Sequence, residues 1–567
     1  MFQHRPFLST LFGATPIIAA LILCVGSVSA SSLPQIGLSG PGALLVTEQE
    51  AYPHSPGADD HFGQAVAAGD FNRDGFADLA IGIPDNDCDF QVWDCGSVQV
   101  RFGYSTGALG GVLTLDPNGL GPHGEVAPEP ASSYDHYGAV LAVGDFQNDG
   151  HDDLVVGVPF NLNYTAAGPH TRSGAIHVHY GLPGHSGSIQ WVAEHAVWQG
   201  DGGGGDTVPG NARAGDRLGA ALAVGDFNGD GHDDLAVGNP LDECQDATAC
   251  NNFNGRGAVL VGHGHIGGLV PFDAFEMRQG LEGLPDVSED NDQLGYSLGA
   301  GDFNGDNFDD LAIGVPGEDD VGAVLVVYGS PNSLIFANHW YVGQFDLGHI
   351  GESGDRFGET LGVGDFNGDG FADLAVGAPR ADGNELTDVG HVYVIYGSAG
   401  GLTAGGSELL TQEVLFGSGS NEAYDNFGSA LTAGDFNSDG IDDLAIGIVG
   451  EDRLEWNEGG VAVALGRLVG GLRGSTTRRL YPRGHASAPV HYDPAGMIPD
   501  VQTGYPYWGV SLTAADFDGN GFADLAIGAA GRDLPNADNS GAAAVIFGRL
   551  FADGFESGDI GEWTAWP

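Results

Sequence analysis

Fifteen residues recur along this chain with oxygen-bearing side chains at fixed offsets. The copy that starts at Asp226 reads DFNGDGHDDLAVGNP, with Asp226, Asn228, Asp230 and Asp234 at positions 1, 3, 5 and 9. Gly231 at position 6 permits a sharp bend, and the His232 carbonyl at position 7 falls inside it. A tight turn brings these groups to one point, and such an all-oxygen donor set suits a hard divalent cation. Calcium takes about 6–8 oxygens at about 2.3–2.6 Å and tolerates irregular geometry. Structural calcium binding is therefore the chemistry predicted. An EF-hand would place a glutamate at position 12; Val237 stands there, in a run of strand character. The loop is read instead as the tip of a β-hairpin.

The phrase occurs seven times, at intervals of 63 to 81 residues. The predicted ligands, with position 7 acting through its carbonyl, begin with Asp70, Asn72, Asp74, Phe76 and Asp78 in copy one. Copy two supplies Asp145, Gln147, Asp149, His151 and Asp153, and copy three the set already named. Copy four has Asp302, Asn304, Asp306, Phe308 and Asp310; copy five has Asp365, Asn367, Asp369, Phe371 and Asp373. Copy six has Asp435, Asn437, Asp439, Ile441 and Asp443; copy seven has Asp516, Asp518, Asn520, Phe522 and Asp524. Gln147 at position 3, Asn307 at position 6 and Asn520 at position 5 depart from the pattern, so those three copies are the expected weak or empty sites. Asp, Asn and Gly also favour turns without any metal. An aspartate at position 9 in every copy argues for ligation over that plainer reading.

The elements around each hairpin repeat as well. Eight residues before position 1 stands an aromatic or leucine followed by glycine, from Phe62-Gly63 to Trp508-Gly509. Twenty to 31 residues after position 1 comes a strand of period two, such as GSVQVRFG from Gly96 or GAVLVVYG from Gly322. Fixed spacing marks packed scaffold, and variable spacing marks loops. Each unit reads as strand A, the acidic hairpin, an apolar strand B, a loop, strand C, and a weaker strand D such as GGVLTL from Gly110 or SIQWVAE from Ser188. Four antiparallel strands repeated radially describe an all-β, seven-bladed β-propeller. An open solenoid would need capping repeats, which the sequence does not show. The seventh unit has no clear strand D, whereas residues 40–50 resemble the end of unit five. Those N-terminal residues are expected to supply the missing outer strand and close the ring.

Composition bounds the function. The chain carries 77 acidic residues against 18 basic ones, and all 18 are arginine, so lysine chemistry is excluded. Such acidity argues against nucleic acid and anionic membranes as partners. Residues 1–30 read as a signal peptide, with Arg5, an apolar run from Pro16 to Val25, and cleavage after Ala30. The mature chain is expected to be secreted or at the cell surface, with no membrane span. Cys88 with Cys95, and Cys244 with Cys250, form two close pairs, read as local disulfides rather than a zinc site because CxxC spacing is lacking.

The order FG, DxNxDGxxDLAxGxP, GxVxVxxG resembles the FG-GAP repeat of integrin α-subunit propellers and their bacterial relatives. The resemblance covers about residues 40–548 and implies a seven-bladed propeller with calcium in some blade hairpins. It also implies ligand binding on the face opposite the hairpins. The B–C loops, which should emerge there, carry Phe90, Trp93, Tyr164, Phe253 and Trp456 as a candidate ligand face.

No enzyme is expected. GYSLG from Gly295 matches a nucleophile elbow, but it occupies the position of FGQAVAAG in the first unit, which makes it a scaffold strand. His177 and His179 alternate on one strand, and surface or inter-blade packing accounts for them. The function expected is an adhesion or protein-interaction module, with an extracellular protein or glycan as partner. A lectin-like propeller is the alternative, and a hydrolase without familiar motifs is a third. Residues 551–567, FADGFESGDIGEWTAWP, resemble the short tails that end many exported bacterial proteins and read as a possible sorting signal after a propeller of residues 31–550.

Overall fold

The computed structural model describes residues 43–47, 59–87, 93–105, 109–117, 134–161, 163–165, 168–170, 173–181, 194–199, 206–208, 215–242, 255–280, 284, 289–383, 386–451, 459–468, 471–472, 477–480, 507–531 and 540–548. Among them, seven sheets follow one another, one for each acidic hairpin. In blade 1, strand A (Val66–Gly69) pairs with B (Asp78–Ile83), B with C (Ser97–Phe102), and C with D (Gly110–Leu115), all antiparallel. The A strand of every blade touches the A strands of both neighbours, including the first with the last. The A strands therefore line a central axis, and the chain forms a closed seven-bladed β-propeller.

Burial explains the residue choices. Strand B is buried along its whole length in all seven blades. A strand covered on both faces has no use for alternation, hence the continuous DLAIGI type of run. The residue before each FG-type glycine, from Phe62 and Tyr137 to Trp508, is at most 1% exposed. The glycine answers a close approach: Gly63 has φ +88°, and a Cβ there would stand 2.3 Å from the Ala542 carbonyl of the neighbouring blade. No other residue fits that seam.

Ring closure follows the expectation. Ala43–Val46 pairs antiparallel with strand C of blade 7 (Ala542–Ile546), placing Leu45 opposite Ala544. Its two faces reach different neighbours, as period two dictates. Leu45 packs in a cluster with Val461, Val463 and Trp508, while Val46 joins one with Phe62 and Ile81 of blade 1.

Two details add to the sequence reading. In blade 2 the described strand beside strand C is Glu194–Gln199, residues 188–193 lying outside the described residues, and Asp206–Val208 adds a parallel fifth strand outside it. Apolar alternation is compatible with either register; pairing of Val197 with Ile176 on strand C selects one. A single helical turn, Gln412–Phe416, interrupts the link to blade 6, capped by the Thr411 hydroxyl accepting the Val414 N–H at 3.2 Å. Among the described residues no helix is long and apolar enough to cross a membrane.

Candidate functional site

Each acidic hairpin joins strands A and B at one rim of the ring. Position 2 is the anchor: Phe71, Phe146, Phe227, Phe303, Phe366, Phe436 and Phe517 are at most 1% exposed. Burial of each ring, worth about 1.5–3 kcal/mol, pins the loop that follows it. In copy three, Asp226 accepts the Gly229 N–H at 2.7 Å and the Asp230 N–H at 3.1 Å on Oδ1, and the Gly231 N–H at 2.9 Å on Oδ2. Asp230 Oδ1 accepts the His232 N–H at 3.0 Å, and Asn228 Oδ1 the Asp230 N–H at 2.9 Å. Carboxylates at positions 1 and 5 are thereby fixed by the backbone that turns around them. Position 6 needs φ near +85°, as Gly75 at +88° and Gly231 at +84° show; Asn307 takes the same left-handed conformation at +67°.

Position 9 sits deeper. Asp78, Asp153, Asp234, Asp310, Asp373, Asp443 and Asp524 are all completely buried. Each accepts the N–H of a glycine that ends strand C, as Asp234 does from Gly264 at 2.9 Å and Asp524 from Gly548 at 2.7 Å. Burial pushes the carboxyls of Asp78, Asp153, Asp234, Asp310 and Asp443 up to about 8, and those of Asp373 and Asp524 to about 7. Backbone donors oppose that shift, and the like charges at positions 1 and 5, or 1 and 3 for Asp524, add to it.

The donor set fits a hard cation. Asn72 Oδ1 and Asn437 Oδ1, at position 3 of their hairpins, are buried acceptors with no hydrogen-bond partner, although each Nδ2 donates to the position-9 aspartate. An acceptor oxygen without a donor, beside three carboxylates, is a place for a positive ion. In copy seven, carboxylate oxygens of Asp516, Asp518 and Asp524 lie within 4.8 Å of one another, because position 3 is Asp518 where the other copies have Asn or Gln.

One repeated contact escaped the sequence reading. The N–H at position 8 donates to the position-1 carbonyl of the preceding blade in all seven junctions, from Asp152 to Asp70 at 3.4 Å through Ala77 to Asp516 at 3.1 Å. Where position 8 is aspartate, its side chain returns the bond. Asp152, Asp233, Asp309 and Asp442 accept the N–H of Asp70, Asp145, Asp226 and Asp365 at 2.7 to 3.0 Å. The signal was the difference between DD and AD at positions 8 and 9.

The opposite, upper rim gathers the B–C and D–A loops. Of the candidate ligand face, Trp93 is 54% exposed there. Phe90, Phe253 and Trp456 lie outside the described residues, as do Cys88, Cys244 and Cys250; Cys95 is buried. Tyr164 lies in a two-stranded hairpin, paired with Pro169. Exposed residues not singled out from sequence join Trp93: Tyr134 at 50%, Tyr424 at 59% and Tyr507 at 40%. The Tyr134 N–H donates to the Trp93 carbonyl at 2.8 Å, so those two stand together. Aspartates two residues before the FG-type glycine's partner close tight turns, as Asp355 and Asp425 do by accepting the Glu352 and Glu422 N–H at 3.0 and 2.8 Å.

Asp85 bridges two blades on this rim. One oxygen contacts His136 Nδ1 at 2.5 Å and the other contacts His61 Nδ1. Burial alone would raise the Asp85 carboxyl, but bonds from both histidines outweigh it and hold it at about 2; the Asp85 bond in turn raises His61. Ser297, the serine of GYSLG, donates its hydroxyl to the Gly358 carbonyl at 2.7 Å. Thr360 and Ser511 do the same towards Gly428 and Gly63, so the serine is an inter-blade fastener. His179 Nε2 meets the Tyr137 hydroxyl at 2.5 Å, and His177 is buried beside it.

Comparison with known proteins agrees with this architecture. The FG-GAP repeat family model matches residues 62–108, 137–179, 218–261, 294–327, 357–395, 427–463 and 508–546. Integrin alpha-PS2 of Drosophila melanogaster is 33% identical over 42% of this chain and 16% of its own length. Integrin alpha-8 of Mus musculus is 31% identical over 43% of this chain and 20% of its own. A phosphatidylinositol-glycan-specific phospholipase D of Bos taurus is 34% identical over 27% of this chain and 18% of its own. The matched region thus spans a fifth or less of each of these relatives.

Proposed function

Because the chain belongs to the FG-GAP repeat family, we propose that it is an extracellular interaction module, braced by calcium on one rim and binding a protein on the other. The observation that carries this reading is the exposed set Trp93, Tyr134, Tyr424 and Tyr507, which share the upper rim with Arg356 and Arg380. Tyrosine, tryptophan and arginine dominate the energetic centres of protein interfaces. Exposed side chains of those types, opposite the acidic hairpins, support binding there. The integrin relatives, which share these repeats, support the same direction.

In the hairpins, positions 1, 3, 5 and 9 with the position-7 carbonyl would hold the ion. Bound calcium would supply the positive charge that three crowded carboxylates per loop lack. The chain's own residues hold the ligands in place: the position-2 phenylalanine anchors the loop and backbone N–H groups orient each carboxylate. Copies two and four are proposed as the weaker sites, whereas copy seven keeps three close carboxylates through Asp518 despite Asn520. Export through residues 1–30, local Cys88–Cys95 and Cys244–Cys250 disulfides, and a sorting role for residues 551–567 belong to the same proposal. Cell fractionation after truncation at Leu550 tests the last of these.

The activity named for the phospholipase D relative is not carried over, since the shared part covers 18% of that protein. The deciding experiment exposes the full chain to a panel of extracellular proteins and to a glycan array, each with calcium and with chelator. Saturable, calcium-dependent protein binding is the expected outcome. Multivalent binding to glycans alone would replace this reading with a lectin. Binding to neither, with turnover in a hydrolase substrate panel, would overturn it.

A further inference from the structure

The chain's cations are scarce, and two of them share one recess. A cavity of about 280 Å³ opens on the upper rim between blades 4 and 5, lined among others by Gln293, Asp320, Ser353, Arg356 and Arg380. Arg356 comes from the link before strand A of blade 5 and Arg380 from the loop after its strand B. We propose that this recess is a subsite for a carboxylate carried by an acidic side chain of a protein partner. The proposal rests on the reading of the upper rim as the binding face.

Arg356 is held ready. Its Nε bonds Glu359, its Nη2 donates to Gln293 Oε1 at 3.2 Å, and its guanidinium lies 4.9 Å over the Tyr296 ring. A guanidinium fixed on two sides and stacked on a ring presents its remaining N–H groups with little entropy left to lose. Arg380 is 54% exposed, and its Nε stands 3.8 Å from Glu359 Oε2, beyond hydrogen-bond length. One carboxylate therefore faces two guanidiniums. Asp320 on the wall and Asp388, which Arg380 also attracts, balance the charge, so what the pair offers is spare N–H donors, and a planar carboxylate matches the arginine fork. The wall is open at Gly354, where an added Cβ would meet nothing within 4 Å.

The surroundings favour a protein over a free small anion. The chain's formal net charge of -59, with Asp320 on the cavity wall, opposes an anion that arrives with no other contact. Salt screens that field beyond about 10 Å at 0.1 M, and a carboxylate carried by a protein has further contacts to set against what remains. Tyr424 offers a further contact on the same rim. The Tyr424 N–H donates to the Thr387 carbonyl, 2.8 Å away, in the same blade-5 loop that begins at Arg380, and Tyr424 is 59% exposed.

The test uses the full chain in calcium and three probes: a blocked tetra-aspartate peptide, its tetra-asparagine counterpart, and trigalacturonate. Affinity is read by calorimetry, and contact by the arginine Nε–Hε resonances. Tetra-aspartate is expected to bind saturably and shift the Arg356 and Arg380 resonances. The asparagine peptide and the R380Q variant are each expected to weaken binding by about tenfold or more. R356Q also removes the Glu359, Gln293 and Tyr296 contacts, so R380Q, changed at an exposed side chain, is the deciding variant. Equal tetra-aspartate affinity in R380Q, or no saturable binding to the parent chain, overturns the subsite. Tighter binding of trigalacturonate than of tetra-aspartate overturns the protein partner in favour of an acidic glycan. If R380Q changes nothing while the protein panel still shows binding, the subsite fails and the interaction reading stands. Peptide binding lost in R380Q with an empty protein panel gives the reverse.

Discussion

The N–H of Ala77 donates to the carbonyl of Asp516 across 3.1 Å, tying the first acidic hairpin to the last. The same bond recurs at the other six junctions, so the hairpins are linked head to tail into a closed belt. Closure has no free end at which the belt can begin to open. Stability is therefore shared around the ring, and it depends on the strand that seals the outer edge of blade 7.

Removal of residues 31–50 should lower the melting temperature sharply, because it bares strand C of blade 7 and two apolar clusters at once. The milder change L45A, at a residue 6% exposed, should cost about 2–5 kcal/mol as a core truncation. Denaturant unfolding measures both. An unchanged midpoint for the deletion would show that the ring is held shut by other contacts.

Chelation should lower the melting temperature and direct limited proteolysis to the acidic hairpins. D230N sharpens this prediction. Its amide oxygen can still accept the His232 N–H, yet the loop loses one charge. Calorimetry should then find one calcium fewer or one site weakened. In chelator the variant should be at least as stable as the parent, since like-charge repulsion falls.

S297A should destabilise the fold by about 1 kcal/mol, the usual net worth of one hydrogen bond, because the Gly358 carbonyl loses its donor. No hydrolase signal should change with it. A substrate panel run on both proteins would reveal a nucleophile by its loss.

The Asp85 bridge predicts a pH dependence. His61 has a raised pKa in the fold, so its contribution is complete below the ordinary value of 6.5 and fades as pH rises through the folded value. Asp85 is depressed to about 2, so its contribution is complete above 3.8 and fades as pH falls towards 2. The bridge is strongest between those limits, with Asp59 and Asp60 adding to the pull on His61. At saturating calcium, the gap in melting temperature between the parent and D85N should be wider at pH 5.5 than at pH 8.5. An equal gap at both would remove the histidines from the account.

Hairpin positions 1 to 9 could be read from sequence because their geometry is local. A turn nine residues long gathers its own oxygen-bearing side chains through its internal N–H bonds. The outer strand from the N-terminus was readable for a related reason, since a unit lacking strand D leaves a vacancy that a matching segment fills. The pairing of Val197 with Ile176 in blade 2 was not, because register is set by the partner strand and not by alternation along the chain.

The amino-acid order by itself determined a ring of seven blades, the acidic hairpins and the strand that closes them. The hairpins follow from fixed spacings between residues a few positions apart, the blade count from their sevenfold recurrence, and the closing strand from the unit that lacks a strand D. Tertiary structure alone decided which groups meet across the seams. Asp309 reaches the N–H of Asp226, Asp85 stands between His61 and His136, and Glu359 is shared by Arg356 and Arg380. Most of these partners come from different blades or from loops of variable length. Their distances depend on how the blades pack, and no periodicity along the chain encodes that.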